Sequence, residues 1–215
     1  YDLLLHRYAD DNLNKAAHTY MEELIARHVS GRLKVAPEHT EDNVLKMMRK
    51  PSFELFGQFK KIFDRVNKQH GLNQQLIPYF ISSHPGCTEA DMANLAIQTK
   101  KLHFQLEQVQ DFTPTPMTLA TEMYYTGYHP YTLEKVYTAH TKEQKLAQRQ
   151  FFFWYKPEFR RQITQALQRI GKKDLIGKLF GSRQASNNKH KEPDMQMTRK
   201  ERINIPSYPR LGSFP

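Results

Sequence analysis

An α/β fold with parallel strands, followed by an all-helical extension and a basic tail, is what the sequence predicts. Three observations carry that reading. Residues 1–123 alternate short apolar runs with amphipathic stretches, the pattern of βα units. Residues 124–181 keep only the helical period of three and four. Residues 182–215 are rich in Asn, Lys, Arg and Pro and hold too few apolar side chains to offset the entropy of ordering, so a disordered or extended tail is expected there.

Taken in order, residues 1–5 read as a first strand. A strand at the first residue predicts further chain upstream and an unpaired sheet edge prone to self-association. Residues 10–28 follow as a helix, with Leu13, Ala17, Met21 and Leu24 on one face and Gly31 beyond its end. Residues 33–36 form the second strand, and Thr40 is the expected cap of a helix through Met48 that Pro51 stops. Ser52 opens a longer helix whose Leu55, Phe56, Phe59, Ile62, Phe63 and Val66 recur at three and four residues, a core stripe. LIPYFI (76–81) is continuously apolar, as expected of a strand covered on both faces, although Pro78 is unusual there. Thr88 and Asp91 then form a capping box, and residues 104–109 are the fourth expected strand.

In the extension, residues 131–139 predict a short helix. Thr141 and Gln144 make a second capping box for a helix that runs through the aromatic residues 151–155. Pro157 suits the first position of the next helix, whose apolar face is Phe159, Ile163, Ala166, Leu167 and Ile170. Asp174 is expected to cap a last one.

Composition bounds the function. One cysteine in 215 residues, Cys87, excludes an internal disulfide and points to a reducing, cytoplasmic setting. No apolar run approaches the roughly 20 residues that span a bilayer, so no membrane partner is expected. There is no G-x-S-x-G, Walker loop or H-E-x-x-H, and no second cysteine for a metal pair. The net charge of +10 is unevenly placed: residues 1–141 hold 15 Lys and Arg against 16 Asp and Glu, and residues 142–215 hold 17 against 6. Two readings of this basic third compete, a solvated face and a surface for polyanions. In the second, Arg160, Arg161, Arg169, Lys172 and Lys173, interleaved with the aromatic run, bind RNA.

Functional residues of a parallel βα array collect where strands end and helices begin. Those loops hold Glu38 and His39 after the second strand, Ser82, Ser83 and His84 after the third, and Asp111 after the fourth. Caps and turns explain some of these residues, but a Glu and two His are not needed to turn a chain.

Three separated stretches occur in order: SGRLKVAPEHTEDNVLKMMRKP (30–51), LIPYFISSHPGCTEADM (76–92) and QVQDFTPTPMTLATEMYYTG (108–127). Together they resemble the YgiQ-type radical SAM proteins, and two of them are more distantly similar to radical SAM methylthiotransferases. The resemblance implies a partial (β/α) barrel, of which this chain supplies strands three to six, with the family's own C-terminal extension behind it. It also implies a [4Fe-4S] cluster on a CxxxCxxC loop, which cleaves S-adenosylmethionine to a 5'-deoxyadenosyl radical. Cys87 belongs to no such spacing, so this chain carries no cluster ligands, and the missing N-terminal half of the polypeptide is the implied partner. By the same resemblance, Glu38 and His39 face the cosubstrate, and Ser82, Ser83 and His84 lie near its adenosine. A scaffold that merely closes the barrel is a third reading.

Overall fold

A computed structural model describes residues 1–106 and 109–181. Three strands form one parallel sheet in the order β1 (Arg32–Glu38), β2 (Gln75–Ser82) and β3 (Val109–Asp111). Parallel neighbours need a crossover. α3 (Asp42–Met47) and α4 (Phe53–Gln69) connect β1 to β2, and α5 (Glu89–Lys101) connects β2 to β3. Ahead of the sheet lie α1 (Asp2–Leu5) and α2 (Asp11–His28). Behind it come α6 (Leu119–Thr126), α7 (Lys142–Arg149), two 3-10 turns (Gln150–Phe153 and Pro157–Phe159), α8 (Arg160–Arg169) and α9 (Asp174–Phe180).

Local chemistry sets most of these boundaries. The Ser52 hydroxyl accepts from the Glu54 amide at the start of α4, and both capping boxes form as the sequence predicts, Thr88 with Asp91 and Thr141 with Gln144. Each such cap satisfies an amide that the helix itself leaves unpaired. Two caps differ from expectation. Glu41, not Thr40, occupies the N-cap position of α3 and its side chain bonds none of the helix amides, and Asp174 is the first helical residue of α9 rather than its cap.

Larger corrections come where a short apolar run has two solutions. Residues 1–5 are a helical turn, not a strand: the Tyr1 ring stacks on Phe59 at 5.5 Å and meets Phe56 edge-on at 6.2 Å, burial that the aromatic stripe of α4 provides. Among the described residues the outer strand on this side is therefore β1, so the open edge lies there and not at residues 1–5. β1 presents exposed Arg32 and Lys34 and a register shift between Val35 and Glu38, features that blunt an edge. Residues 131–139 are not helical. Gly127 takes a left-handed conformation (φ 72) and turns the chain back, Tyr128 bridges Lys135, and the Val136 amide donates to the Gly127 carbonyl at 2.8 Å. The fourth expected strand, 104–109, overlaps β3 only at Val109, and with residues 1–5 helical the described residues hold three strands where four are predicted. The tail expected at 182–215 lies outside the described residues.

Two apolar clusters pack on the same face of the sheet. One joins Met21 and Ile25 of α2 to Phe56, Phe59, Phe63 and Val66 of α4 and Leu76 of β2. The other joins Phe80 of β2 to Met92, Leu95 and Ala96 of α5 and to Phe151, Phe152, Ile163, Leu167, Leu175 and Leu179 of the extension. Residues Tyr1–Gly181 form one compact unit. β2 alternates instead of being buried on both sides: Leu76, Pro78, Phe80 and Ser82 are buried, whereas Ile77, Tyr79 and Ile81 are only half-buried, with Lys34 lying 5.9 Å over the Tyr79 ring. The register shift of β1 begins at Val35, the partner of Pro78, which is how a middle strand accommodates a residue without an amide hydrogen.

Candidate functional site

Parallel pairing brings Glu38, Ser82 and Asp111, the last residues of β1, β2 and β3, to one side of the sheet. A cavity of about 520 Å³ opens there, lined among others by Glu38, Lys50, Ile81, His84, Asp111 and Phe112. Two of the strand-end residues have left-handed backbones although neither is glycine, Glu38 at φ 69 and Ser83 at φ 61. Each such residue costs on the order of 1–3 kcal/mol, and such strain gathers at binding and catalytic sites.

Each carboxylate has a cation. Lys50 Nζ lies 3.3 Å from Glu38 Oε1, and Arg149 Nη1 donates to Asp111 Oδ2 at 2.9 Å. The Ser82 hydroxyl takes the other Asp111 oxygen at 2.5 Å, so both oxygens of that carboxylate are engaged. His84 is buried, and its Nδ1 lies 2.9 Å from the Pro85 carbonyl. A carbonyl only accepts, so Nδ1 carries the hydrogen and the neutral ring keeps a lone pair on Nε2. Burial lowers the imidazole's pKa, partly offset by that hydrogen bond. The ring meets Phe112 edge-on at 5.0 Å. Ser83 Oγ is buried without a hydrogen-bond partner, a state worth an explanation because it costs roughly 1–3 kcal/mol.

His39 behaves differently from its neighbours in sequence. It is fully buried and turned away from the cavity, its Nδ1 accepting from the Glu41 amide at 3.1 Å and its Nε2 lying 3.5 Å from Cys87 Sγ. Burial pulls this imidazole down to about 4 and pushes the Cys87 thiol up. The two form a neutral pair. A cysteine in that state is neither nucleophile nor ready metal ligand. Among the described residues, no group of three His, Cys, Asp or Glu side chains could hold a metal ion.

The sequence reading missed Gln148 and Arg149. Gln148 is fully buried, accepts from the Ser83 amide at 2.8 Å and donates to the Cys87 carbonyl at 2.7 Å. A signal for it exists: Gln148 precedes Phe151 and Phe152 by three and four residues, so a polar side chain occupies the inward stripe. The Arg149 contact spans 38 positions of sequence and left no local trace.

Among the described residues, the aromatic run expected to stack on RNA packs largely into the core. Phe151 and Phe152 are fully buried in the core, and Trp154 donates its indole hydrogen to Thr99 at 3.1 Å. The tight 3-10 turn, which replaces the expected continuation of α7, rolls those rings inward. Of the basic residues, Arg169 pairs with Glu89 at 2.5 Å and Arg160 lies 5.3 Å over the Phe180 ring, while Arg161, Lys172 and Lys173 are simply exposed. No described helix is long and apolar enough to cross a membrane.

Residues 107–204 match a family described as a domain of unknown function, DUF3362. Over 201 residues, 94% of the chain, it is 64% identical to a UPF0313 protein of Porphyromonas gingivalis, and over 85% of the chain it is 67% identical to one of Bacteroides thetaiotaomicron. Identity with the UPF0313 protein YgiQ of Escherichia coli is 45% over 74% of the chain. The matches span 32%, 30% and 22% of those relatives' lengths. No solved structure matches the chain. Agreement at this level, with the ordered motifs from Ser30 to Gly127, establishes that the chain belongs to the UPF0313 protein family.

Proposed function

We propose that this chain is the cosubstrate-facing wall of a radical S-adenosylmethionine enzyme, a C-terminal portion of a longer cytoplasmic polypeptide. The observation that carries the reading is the convergence of Glu38, His84 and Asp111 on one cavity at the carboxyl ends of three parallel strands. The half-open sheet face of Ile77, Tyr79 and Ile81 supports it, because parallel sheets are ordinarily covered on both sides and a barrel would enclose this one.

The iron–sulfur cluster does not fit this chain. Three thiolates are needed, and the single cysteine is buried, protonated and paired with His39. S-adenosylmethionine does fit, and when bound beside a reduced cluster it supplies a 5'-deoxyadenosyl radical. Glu38 can accept from an ammonium or a ribose hydroxyl, and His84 Nε2 can accept from a hydroxyl or an exocyclic amine, whereas Ser83 is fully buried and does not line the cavity. Phe112 offers an aromatic wall. Asp111, already holding Ser82 and Arg149, shapes the floor more than it binds. His39 is removed from the binding set by its burial against Cys87.

The test uses the full-length polypeptide, loaded with iron and sulfide and reduced, with 5'-deoxyadenosine release and S-adenosylmethionine affinity as readouts. Loss of a hydrogen bond to a charged group predicts that Glu38→Gln weakens binding about tenfold or more. A loaded wild type that releases no 5'-deoxyadenosine, or a Glu38→Gln protein that matches it, defeats the reading.

A further inference from the structure

We infer that α7 is the positioning element of the strand-end site, with Gln148 and Arg149 as the two residues that hold it. The inference rests on the cavity being the binding site proposed above, and it assigns a task to the helical extension.

The loop after β2 is fastened to the extension at three backbone points. Gln148 accepts from the Ser83 amide and donates to the Cys87 carbonyl, and the Gly86 amide donates to the Tyr137 carbonyl at 2.8 Å. Between the outer two points sits His84, which lines the cavity. Without a tether, Ser83 would relax from its left-handed conformation, since a non-glycine residue keeps such a backbone only where surroundings over-determine it. A buried primary amide is costly unless both its ends are paired, and Gln148 pairs both with this one loop. That is a specific arrangement, not a generic core contact.

Arg149, the next residue, fixes the neighbouring strand end. Its guanidinium takes one Asp111 oxygen and Ser82 takes the other, which sets the carboxylate plane and draws the ends of β2 and β3 together. The side chains of Arg149 and Asp111 are 35% and 30% exposed, so the pair contributes little to stability. What it supplies is orientation. One turn of one helix therefore governs both the β2 loop and the β3 carboxylate.

Two readouts in the full-length polypeptide separate this role from ordinary packing: amide exchange in the 82–88 segment, and affinity for S-adenosylhomocysteine by calorimetry. Gln148→Glu still accepts from Ser83 but cannot donate to Cys87, and exchange in 82–88 should rise at least about tenfold while α4 stays protected. Arg149→Gln should weaken ligand binding about tenfold, Arg149→Lys should restore most of it, and melting should shift by less than about 2 °C in both. Unchanged exchange with unchanged affinity overturns the inference. So does a loss of protection that extends equally to α4, or an Arg149→Lys protein no better than Arg149→Gln. If Gln148→Glu does not fold, the Arg149 pair alone decides through its exchange and affinity. A wild type that binds no S-adenosylhomocysteine, while exchange in 82–88 still rises in the Gln148 variant, leaves the tether standing and removes the cosubstrate reading instead.

Discussion

The two apolar clusters lean on the same sheet face but at opposite ends of its strands. The α2–α4 cluster packs against Leu76, near the start of β2, and the cluster built from α5 and the extension packs against Phe80, near its end, and encloses Cys87 in the following loop. The first is scaffold: its aromatic stripe holds helices to strands. The second carries the site's shape, because the same helices that bury Phe151 and Phe152 deliver Gln148 and Arg149 to the strand ends.

The largest effect that would sharpen this contrast is a cavity in either cluster. Phe63→Ala and Phe151→Ala, both nearly or fully buried, should each lose about 3–5 kcal/mol in urea unfolding. Under native conditions only Phe151→Ala should speed amide exchange around residues 82–88. Equal local exchange in the two variants would erase the distinction between scaffold and site-bearing cluster.

A somewhat smaller effect comes from His39, which sits at the floor of the second cluster. Above pH 6.5 its ring is neutral whether the chain is folded or not, and it adds nothing. As pH falls from 6.5 towards 4, the unfolded chain takes up a proton that the buried ring refuses, so stability drops by about 3 kcal/mol and then levels off. Asp91 and His84 face the ring with opposite influence, the carboxylate favouring its charged form and the second imidazole opposing it. His84, depressed by burial too, adds to the same slope. Urea midpoints of the parent and of His39→Gln, compared at neutral pH and near pH 4, should converge as pH falls, and parallel curves would show that the folded ring takes up its proton as readily as the unfolded one.

The smallest expected effect is at the helix caps. Thr88→Ala and Thr141→Ala each remove a capping box and should cost about 1 kcal/mol in thermal unfolding. Thr141→Ala should loosen residues 82–87 from a distance, because α7 carries Gln148, whereas Thr88→Ala acts within that loop's own end. A silent Thr141→Ala would mean that the tether does not depend on the first turn of its helix.

How much of this was legible in the sequence follows the range of the forces involved. The caps at Ser52, Thr88 and Thr141 are set by residues within three positions of each other and were readable. So was the α4 stripe, where six apolar residues repeat the helical period. Residues 1–5 and 131–139 were not, because a short run with apolar side chains satisfies either period and the outcome was settled by Phe59 in one case and by the turn at Gly127 in the other. Within the site, Glu38, Ser82, Ser83, His84 and Asp111 emerged from topology alone, since strand ends of a parallel sheet must share a side. Topology could not tell that His39, one residue after Glu38, points inward instead. The ties from Gln148 and Arg149 cross 38 to 65 positions, and no local pattern fixes such a distance.

Burial of the lone sulfur has a practical corollary. Cys87 is the chain's single thiol and is closed off from solvent beside His39. An aqueous disulfide reagent can therefore modify this chain at one atom, and only in molecules whose β2 loop has momentarily swung away. Within this chain, colour released by such a reagent counts openings of the strand-end loop with no label to introduce.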